Sequence, residues 1–475
     1  MNSNKHLSSA IEYDKQTDRC FYMEQWFKDR KWIFAVLAAM LLFESGAGIR
    51  RLSMNIWEGK AEETQYPAVM SIEASDTEAS DTEATETEDP GTEETGTEET
   101  DAENTETEYP ITVQPNLELN AHAAALLDAE NGRVLYEKNG REQRAMASTT
   151  KIMTCLLALE LGNLEDVVTF SANAAAQPDV QMNGCEGEQY YLRDLLYSLM
   201  LESHNDTAVA IAEHIGGSVE GFAALMNDKA QELGVYETHF VTPNGLDAEG
   251  HYTTACDLGK IACYAIQNPD FLGIIQTPSY TFQEINGGRT VSVTNRDAFL
   301  TSYDGAMGIK TGFTGEAGYC FVGAAQRDDR TFVSVVLASG WPPHKTYKWK
   351  DTQVLMDYGM EQYQEQIILD PSYSLPEIPV RNGIETDAVP LYLTDSISLL
   401  LRTDEPVHYL ERLPAELEAP VQKDMIAGTV EIYVGDELYQ TVVVYTGAEV
   451  ERISYRYVLR CLFQRYFMIP DSVRG

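Results

Sequence analysis

The sequence predicts an α+β protein, in which an antiparallel sheet flanked by helices and a helical subdomain is followed by a small all-β domain. Two observations support this fold class. Between residues 116 and 359, runs with the apolar periodicity of helices lie between runs that alternate apolar and polar residues, as strands do. After residue 370 the pattern changes to short β-like runs separated by turn residues.

Length and charge divide the chain into segments. Its 475 residues carry a formal net charge of −41, and much of this charge lies between Glu62 and Glu108, where no Lys or Arg occurs. The central region has no basic stripe, which argues against a nucleic-acid partner because phosphate binding needs clustered Lys and Arg. The predicted segments are an export signal or anchor at 1–48, an acidic linker at 49–110, a large globular domain at 111–370, a small β-rich domain at 371–447 and an amphipathic helix at 448–475.

The first segment has the order of a secretory signal. Lys28, Arg30 and Lys31 form a basic start, an apolar run from Trp32 to Phe43 follows, and small residues come next. Because this run is short for a bilayer-spanning helix, we predict cleavage after Ala47, with an uncleaved signal anchor as the alternative. Either way, the rest of the chain is predicted to lie outside the cytoplasm.

The acidic linker is predicted to stay extended and solvated. From Glu62 to Glu108 it repeats short units of Thr, Glu, Asp, Ser and Ala, with almost no large apolar side chains. Such a segment cannot bury enough apolar surface to offset its loss of chain entropy, and its like charges repel one another. The linker would serve as a spacer, while cation binding or O-glycosylation of its threonines are alternatives.

The cysteines form no metal or disulfide motif. Seven are present, without a Cys-x-x-Cys pair or a partnered histidine spacing. Cys155 and Cys320 lie inside apolar runs, where a thiol behaves as a small buried hydrophobic group. We therefore predict neither a zinc site nor a disulfide framework, and no cofactor.

The globular domain opens with a predicted β-hairpin and a helix. Residues 123–136 alternate apolar and small residues around an Asn-Gly turn. Residues 148–160 have helical periodicity, so Ser148 lies at a helix N-terminus and Lys151 lies one turn on, on the same face.

The spacing of Ser148 and Lys151 suits nucleophilic catalysis. A serine hydroxyl is a poor nucleophile until a base removes its proton, and a lysine can do so when burial and a nearby positive charge lower the pKa of its amine. The helix N-terminus adds free N–H groups for the oxyanion that forms on attack. Taken alone, the pair also fits an N-cap serine and a surface lysine.

A second polar cluster interrupts two apolar helices. Helical periodicity runs through residues 195–215 on both sides of residues 202–206. Such a break exposes side chains at a cleft, where the Ser203 hydroxyl can relay a proton and the Asn205 amide can hold a substrate carbonyl. Taken alone, a Ser-His-Asn sequence is also ordinary turn chemistry.

A third motif, Lys310-Thr311-Gly312, lies on the first of three alternating runs that predict adjacent antiparallel strands. A strand edge can bind a peptide backbone and present the Lys310 ammonium and the Thr311 hydroxyl to a terminal carboxylate. Gly312 leaves room for a close approach, and Lys310 supplies the second positive charge that Lys151 needs. By itself this segment also fits a surface hairpin.

In order and spacing the three motifs resemble those of the D-alanyl-D-alanine carboxypeptidases, the low-molecular-mass penicillin-binding proteins of the S11 peptidase family. The resemblance covers residues 116–359, and the fold that it implies is the penicillin-binding and β-lactamase-like one. Further stretches match the family in order, namely residues 147–154, 244–247, 251–255, 294–296 and 305–318. Class A β-lactamases are less similar, since no counterpart of their deacylating glutamate loop is found.

This resemblance implies catalytic roles for the matching residues. Ser148 would be the acyl-enzyme nucleophile and Lys151 its base. Ser203 and Asn205 would be the proton relay and the ligand of the substrate carbonyl. His204, the middle residue of its motif, is variable in the family and needs no catalytic role.

The resemblance also implies a substrate-binding edge. Lys310 and Thr311 would recognise the substrate carboxylate, with Gly312 beside them on the strand. The backbone N–H groups of Phe313 and of the nucleophile would form the oxyanion hole. Lys348 lies where a related protein has an arginine that helps to bind the carboxylate.

His251 offers an alternative, a Ser-His-Asp triad with Asp247 or Asp257 as its third member. However, the chain has no Gly-x-Ser-x-Gly elbow, and the Ser-x-x-Lys pair already supplies a base. We therefore interpret His251 as a structural histidine beside the cleft.

The C-terminal part contains no chemical motif. Short β-like runs at 388–393, 397–401, 429–434 and 440–445 predict the β-rich domain, which the resemblance implies is a pedestal between the catalytic domain and the membrane. The next segment is basic and aromatic, with Arg452, Arg456 and Arg460 on one predicted helical face. It is typical of a helix that lies on an anionic membrane surface, while packing against the β-rich domain is the alternative.

The activity that the resemblance implies is removal of the terminal D-alanine from peptidoglycan pentapeptide stems, without metal or cofactor, at the outer face of the cell membrane. β-Lactams are expected to acylate Ser148 as substrate mimics. The motifs do not separate this activity from DD-endopeptidase cleavage or β-lactam hydrolysis at the same site. A catalytically idle surface-binding protein is a further alternative, against which the intact catalytic set argues.

Overall fold

A computed structural model of the protein describes residues 114–467. The predicted export signal and acidic linker lie outside the described residues, as do residues 468–475 of the predicted C-terminal helix. Among the described residues, none of the helices is long and apolar enough to span a bilayer.

The larger domain contains the predicted hairpin, helices and adjacent strands, together with further elements that the sequence analysis did not predict. Its strands are β1 (Ala123–Asp128), β2 (Val134–Lys138), β3 (Val167–Thr169), β4 (Gln189–Tyr191), β5 (Ser279–Gln283), β6 (Thr290–Thr294), β7 (Ala306–Thr314), β8 (Gly318–Arg327) and β9 (Arg330–Leu337). Its helices are α1 (Lys151–Leu161), α2 (Ala172–Ala175), α3 (Leu192–Tyr197), α4 (Asn205–Gly216), α5 (Val219–Glu232), α6 (Ala255–Ala265), α7 (Pro269–Gln276), α8 (Phe299–Ser302) and α9 (Tyr347–Gln362).

A central antiparallel sheet organises this domain. Among the described residues it has five strands, in the order β2, β1, β9, β8, β7, so the predicted hairpin and the three predicted adjacent strands are confirmed. Successive side chains of β1 enter opposite cores: Ala125 and Leu127 pack with the helical subdomain, and Ala124 and Leu126 pack beneath α9. The predicted α+β class is confirmed.

Helices on one face of the sheet bring the three motifs together. Helix α1 is buried from Lys151 to Ala158 and packs against α4 and α6. A 3-10 turn, Ala147–Thr150, precedes α1 and packs against the edge strand β7. A π-helical turn, Ser198–Glu202, lies between α3 and α4 and forms the predicted break in the helices. The motifs therefore meet where a turn, a helix break and a sheet edge converge.

The cysteines that the sequence places in apolar runs are buried. Cys155 and Cys320 are both 0% exposed, and they are free thiols, as are the other described cysteines. Burial raises the pKa of both thiols, Cys320 to about 11. They fill space in the core, as predicted.

The C-terminal domain is built from short strands. They are β10 (Gln364–Leu369), β11 (Ile378–Arg381), β12 (Ala388–Val389), β13 (Leu391–Tyr392), β14 (Ile397–Leu401), β15 (Val407–Arg412), β16 (Leu417–Glu418), β17 (Ile426–Val434) and β18 (Glu437–Thr446). The sequence pattern missed β10, β11, β15 and β16. Strand β10 precedes the predicted boundary at 371 yet pairs with β14, so the strand pairing of this domain begins at residue 364.

The last helix, α10, spans Tyr455–Phe467 and begins later than predicted. Val450 is buried in the core of the β domain, where its backbone pairs with that of Val421. Arg452 lies within 3.7 Å of Glu418. The prediction that Arg452 shares a helical face with the next two arginines is therefore wrong, because backbone pairing already fixes this part of the chain in an extended conformation.

Candidate active site

The predicted nucleophile lies on a tight turn. Ala147 has a left-handed φ of 49°, and Ser148 follows it, half-buried, in the 3-10 turn before α1. A Cβ atom at Gly312 of β7 would lie only 3.0 Å from the Ser148 backbone nitrogen. The room that Gly312 provides is therefore needed by the turn that carries Ser148, which lies directly against the sheet edge.

Lys151 links the first two motifs. Its Nζ lies 3.0 Å from Ser148 Oγ and 2.9 Å from Asn205 Oδ1. It also donates to the backbone carbonyl of Asn244. These three contacts use the three bonding directions of an amine. When the amine is neutral, two N–H bonds serve the carbonyl oxygens and the lone pair remains for the serine hydroxyl.

The surroundings of Lys151 favour its neutral form. The side chain is fully buried, and burial, together with the positive charge of Lys310, holds the pKa of Lys151 well below its usual value, whereas Asp206 opposes this shift. Asp206 is itself fully buried and accepts hydrogen bonds from the N–H groups of Met182 and Gly184. Those bonds partly neutralise its carboxylate, so the balance favours an unprotonated amine.

A glycine turn positions the third contact of Lys151. Gly245 has φ of 82°, and a Cβ there would lie 2.0 Å from the Ala147 carbonyl oxygen, so only glycine fits. Asn244 donates to Gln177 Oε1 at 3.0 Å and accepts from the Leu246 N–H at 3.1 Å. These bonds fix the turn that aims the Asn244 carbonyl at the amine.

The second motif has a strained backbone. Ser203 has a left-handed φ of 68°, and its Oγ is buried without a hydrogen-bond partner among the described residues. A non-glycine residue in this conformation costs stability and is found mostly at functional sites. Asn205 is held by its N–H to the Val180 carbonyl at 2.7 Å and by its Nδ2 to the Pro178 carbonyl at 3.0 Å.

His204, the middle residue of the motif, is directed away from the amine. Its Nδ1 lies 2.8 Å from Ser198 Oγ and its Nε2 lies 3.4 Å from Glu202. Burial lowers the pKa of His204. These contacts tie the turn to the end of the π-helical segment and are structural.

The third motif brings buried positive charge to the sheet edge. Lys310 is 2% exposed, and its Nζ donates to the Thr311 carbonyl at 3.0 Å. Burial and the neighbouring charge of Lys348 lower the pKa of Lys310 to about 7, against the influence of Asp297. Lys348 lies over the ring of Trp349, 4.8 Å from its centroid. The weakly matched Lys348 therefore lies at the same end of the site as Lys310.

The outer side of this edge is accessible. Strand β7 is at the edge of the central sheet, Thr311 is half-buried, and the Phe313 side chain is 43% exposed. An edge strand offers unpaired backbone groups to an extended ligand. The cations and this edge lie side by side, as recognition of a peptide with a terminal carboxylate requires.

His251 does not take part in a catalytic triad. Its Nδ1 accepts from the Val241 N–H at 3.0 Å, so its Nε2 carries the proton and donates to Thr150 Oγ1 at 2.9 Å. Asp247 instead accepts a hydrogen bond from the hydroxyl of Thr314 on β7. Asp257 accepts hydrogen bonds from the Glu237 N–H and the Thr238 hydroxyl. Burial lowers the pKa of His251 to about 4, which makes it a neutral, structural histidine.

Sequence reasoning missed three groups of this site. The Asn244 carbonyl, the Asp206 carboxylate and Asp297 all act on a buried lysine. Asn244-Gly245 was noticed only as part of a pattern, and Asp206 directly follows the second motif. The position of Asp206 next to the second motif is the one sequence signal that could have identified any of these groups. Among residues 114–467, no group of three His, Cys, Asp or Glu side chains is arranged to hold a metal ion.

The fold and this arrangement define a class, the serine-type hydrolases in which a buried lysine adjoins the serine. Comparison with known proteins narrows the class. A family model described as D-alanyl-D-alanine carboxypeptidase matches residues 109–340, and one for the C-terminal domain of penicillin-binding protein 5 matches residues 363–452.

Individual relatives agree with these matches. The D-alanyl-D-alanine carboxypeptidase DacF of Bacillus subtilis is 32% identical over 319 residues, which are 65% of this chain and 80% of DacF. DacA of Escherichia coli is 30% identical over 343 residues, 66% of this chain and 79% of DacA. The structure of penicillin-binding protein 5 from Haemophilus influenzae has a TM-score of 0.59 and 26% identity, covering 72% of this chain and 100% of that one. The chain therefore belongs to the S11 family of D-alanyl-D-alanine carboxypeptidases, and it is a serine-type carboxypeptidase.

Proposed function

We propose that this enzyme removes the terminal D-alanine from peptidoglycan pentapeptide stems through an acyl-enzyme on Ser148. The observation that carries the proposal is the buried Lys151 amine, which lies 3.0 Å from Ser148 Oγ and donates to two carbonyl oxygens. Family membership supports the substrate class, since the named relatives are D-alanyl-D-alanine carboxypeptidases.

In the first step Ser148 Oγ attacks the carbonyl carbon between the two D-alanines, and its proton passes to Lys151 Nζ. The backbone N–H groups of Ser148 and Phe313 receive the oxyanion. The C–N bond then breaks, and the D-alanine amine takes a proton from Lys151 by way of Ser203. Asn205, which already contacts Lys151, holds the carbonyl of the substrate chain.

The second step hydrolyses the acyl-enzyme. Lys151, again neutral, takes a proton from water, and the resulting hydroxide attacks the ester carbon. Ser148 leaves with a proton returned from Lys151, and the shortened stem peptide is released as a carboxylate. No further co-reactant is needed, because one water supplies the hydroxyl group of the new carboxyl and the proton that returns to Ser148, and the carboxyl then loses its proton to the solvent.

The end of the site that carries Lys310 and Lys348 selects a substrate with a free terminal carboxylate. Lys310 and Lys348 supply charge, and the Thr311 hydroxyl and the Gly312 backbone line the same edge. Charge-assisted hydrogen bonds of this kind are stronger than neutral ones. A β-lactam, whose carboxylate lies beside its reactive amide, would bind in the same way and acylate Ser148.

The substrate implies where the enzyme works. Peptidoglycan lies outside the cytoplasm, which agrees with the predicted export signal and spacer. Helix α10 carries Arg456 and Arg460, and its Phe463 and Tyr466 side chains are 57% and 88% exposed. These features support association of α10 with the outer face of the membrane.

The test uses a fluorescent penicillin and diacetyl-lysyl-D-alanyl-D-alanine. We expect covalent label on the wild type and release of D-alanine from the peptide, with both lost in Ser148→Ala. Ser302→Ala, at an exposed serine of α8, is the matched control and should behave as the wild type.

Other outcomes identify the alternatives. Label without D-alanine release, combined with cleavage of a cross-linked muropeptide dimer, would indicate a DD-endopeptidase. Label that is shed rapidly with hydrolysed penicillin would indicate a β-lactam hydrolase. Absence of label on a folded wild type would refute the acyl-enzyme and favour a binding role.

A further inference from the structure

An aspartate with an unusual environment lies beside the cation site. Asp297 is in the turn between β6 and α8, where its N–H donates to Asn295 Oδ1 at 3.0 Å and its Oδ1 accepts from the Phe299 N–H at 2.9 Å. The residue is 9% exposed, and its Oδ2 is buried with no hydrogen-bond partner among the described residues. A buried carboxylate oxygen of this kind is stable only if nearby charge compensates it.

The elements packed around this turn carry two cations, the buried Lys310 and the half-buried Lys348. Helix α8 packs against β7, which bears Lys310. The Phe299 ring lies 5.7 Å from that of Phe321, which lies 4.6 Å from that of Trp349, the neighbour of Lys348 in sequence. The positive charges of Lys310 and Lys348 act on Asp297, and the charge of Asp297 acts on both lysines.

Without a counter-charge these cations would be poorly stabilised. Burial lowers the pKa of Lys310 to about 7 and also lowers that of Lys348, and Lys348 depresses the pKa of Lys310 further. Asp297 opposes both shifts, and Cys320 is the other group that raises the pKa of Lys348. Burial raises the pKa of Asp297 itself to about 6, so its carboxylate is mostly charged at neutral pH.

We propose that Asp297 is a positioning residue for the substrate carboxylate, because its buried carboxylate keeps Lys310 and Lys348 charged and close together at the end of the cleft. The inference rests on the proposed function, since a carboxylate-binding end is useful only to an enzyme that selects chain termini. The effect also reaches the reacting atoms, because the charge of Lys310 acts on Lys151.

The test compares two probes over pH 5.5–9: a fluorescent penicillin and its methyl ester, which lacks the free carboxylate. Their ratio of second-order acylation rates measures carboxylate recognition. In Asp297→Asn, which keeps the Oδ1 acceptor for Phe299, we expect the ratio to fall roughly 3–10-fold at pH 7.5. The pH at which the ratio is halved should move down by about one unit. Asp304→Asn, at a side chain that is 91% exposed, removes the same charge and should change neither quantity.

Each outcome has a distinct meaning. A ratio and pH profile in folded Asp297→Asn that match the wild type would overturn this inference and leave Asp297 as a turn residue only. If Asp297→Asn does not fold, Lys348→Gln tests the same group of charges, because it removes a positive charge instead of a negative one. Loss of the positive charge of Lys348 should move the pH at which the ratio is halved to a higher value, because Lys348 lowers the pKa of Lys310. An unchanged value would overturn the inference. Absence of label on the wild type would overturn the proposed function itself.

Discussion

At the scale of single residues, burial gives Lys151 properties that its side chain lacks in water. An exposed lysine is protonated at neutral pH and cannot accept a proton. Here desolvation and the charge of Lys310 lower the pKa of Lys151, and two carbonyl oxygens orient its N–H bonds. The proposed role of Lys151 as general base therefore depends on its surroundings.

Two lysines with opposite requirements determine the pH dependence. Lys151 must be neutral, so activity is lost as pH falls through its lowered pKa. Lys310 must be charged, so activity is lost as pH rises through its pKa of about 7. We expect a bell-shaped kcat/KM profile whose alkaline limb moves to higher pH in kcat, because a bound carboxylate stabilises charged Lys310. Steady-state assays with the peptide across pH provide the measurement. An alkaline limb at the same pH in kcat and kcat/KM would contradict this assignment, and Lys350→Gln, at an exposed lysine of α9, serves as control.

His251 makes a prediction about stability. Its pKa of about 4 in the folded protein lies below its ordinary value of 6.5, so its neutral form contributes stability that is present above pH 6.5 and lost as pH falls toward 4. Between pH 7.5 and 5 the wild type should lose about 2 kcal/mol more stability than His251→Gln, which retains an N–H donor for Thr150. Urea unfolding at the two pH values measures this difference. Equal pH dependence in the two proteins would argue against a buried neutral histidine, and His344→Gln, at an exposed position, should resemble the wild type.

At the scale of elements, the site depends on how closely the 3-10 turn approaches β7. Residues of both elements have conformations that tolerate little change: Ala147 is left-handed, and Gly312 has no space for a side chain. Ser203 adds a strained backbone at the end of the π-helical turn. Two strained residues and one closely packed glycine are consistent with elements that are held in place by their packing and not by their own preferences.

Gly312→Ala tests this approach. The added Cβ would lie 3.0 Å from the Ser148 nitrogen and 3.1 Å from the Ala147 Cβ, so the turn must move by a few tenths of an ångström. We expect the acylation rate to fall about 10–100-fold while the fold is retained, because small displacements of a nucleophile are costly. Stopped-flow labelling with penicillin measures the rate. Gly315→Ala, where a Cβ would meet nothing within 4 Å, is the matched control, and equal rates in the two variants would refute the argument.

At the scale of the whole molecule, the two domains are joined by buried polar contacts. Arg133 of the turn after β1 lies 3.3 Å from Glu405 of the β domain and donates to the Leu400 carbonyl. Arg402 donates to the Tyr358 hydroxyl of α9 at 2.7 Å. Because these contacts connect the sheet to the C-terminal domain, the domains should unfold together.

Arg133→Ala should weaken this junction without affecting chemistry. The side chains of Arg133 and Glu405 are 15% and 11% exposed, so the variant leaves a partly buried carboxylate with one partner fewer. We expect a loss of about 2–4 kcal/mol of unfolding free energy and an acylation rate within twofold of the wild type. Arg412→Ala breaks a more exposed pair with Glu431 and should cost clearly less stability than Arg133→Ala. Thermal denaturation and penicillin labelling measure the two effects, and similar stability losses in both variants would contradict the junction.

The sequence by itself determined the order of the elements and the identity of the motifs. Periodicity and turn residues are local, so the hairpin, the helix that follows Ser148 and the break at Ser203 could be predicted from a few neighbouring residues. The pairing of Ser148 with Lys151 is equally local, because a spacing of three residues puts both on one helical face. The resemblance to a family added the roles that spacing alone leaves open.

Only the tertiary structure decided the electrostatics and some boundaries. The carbonyl of Asn244 contacts Lys151 across 93 residues of sequence. The charges of Lys310 and Lys348 act on Asp297 because separate elements pack together. Likewise, Val450 extends the β domain because Val421 pairs with it, although its own sequence is helical in pattern. Burial and charge at a site depend on segments that are distant in sequence, so local pattern cannot supply the pKa values on which this chemistry depends.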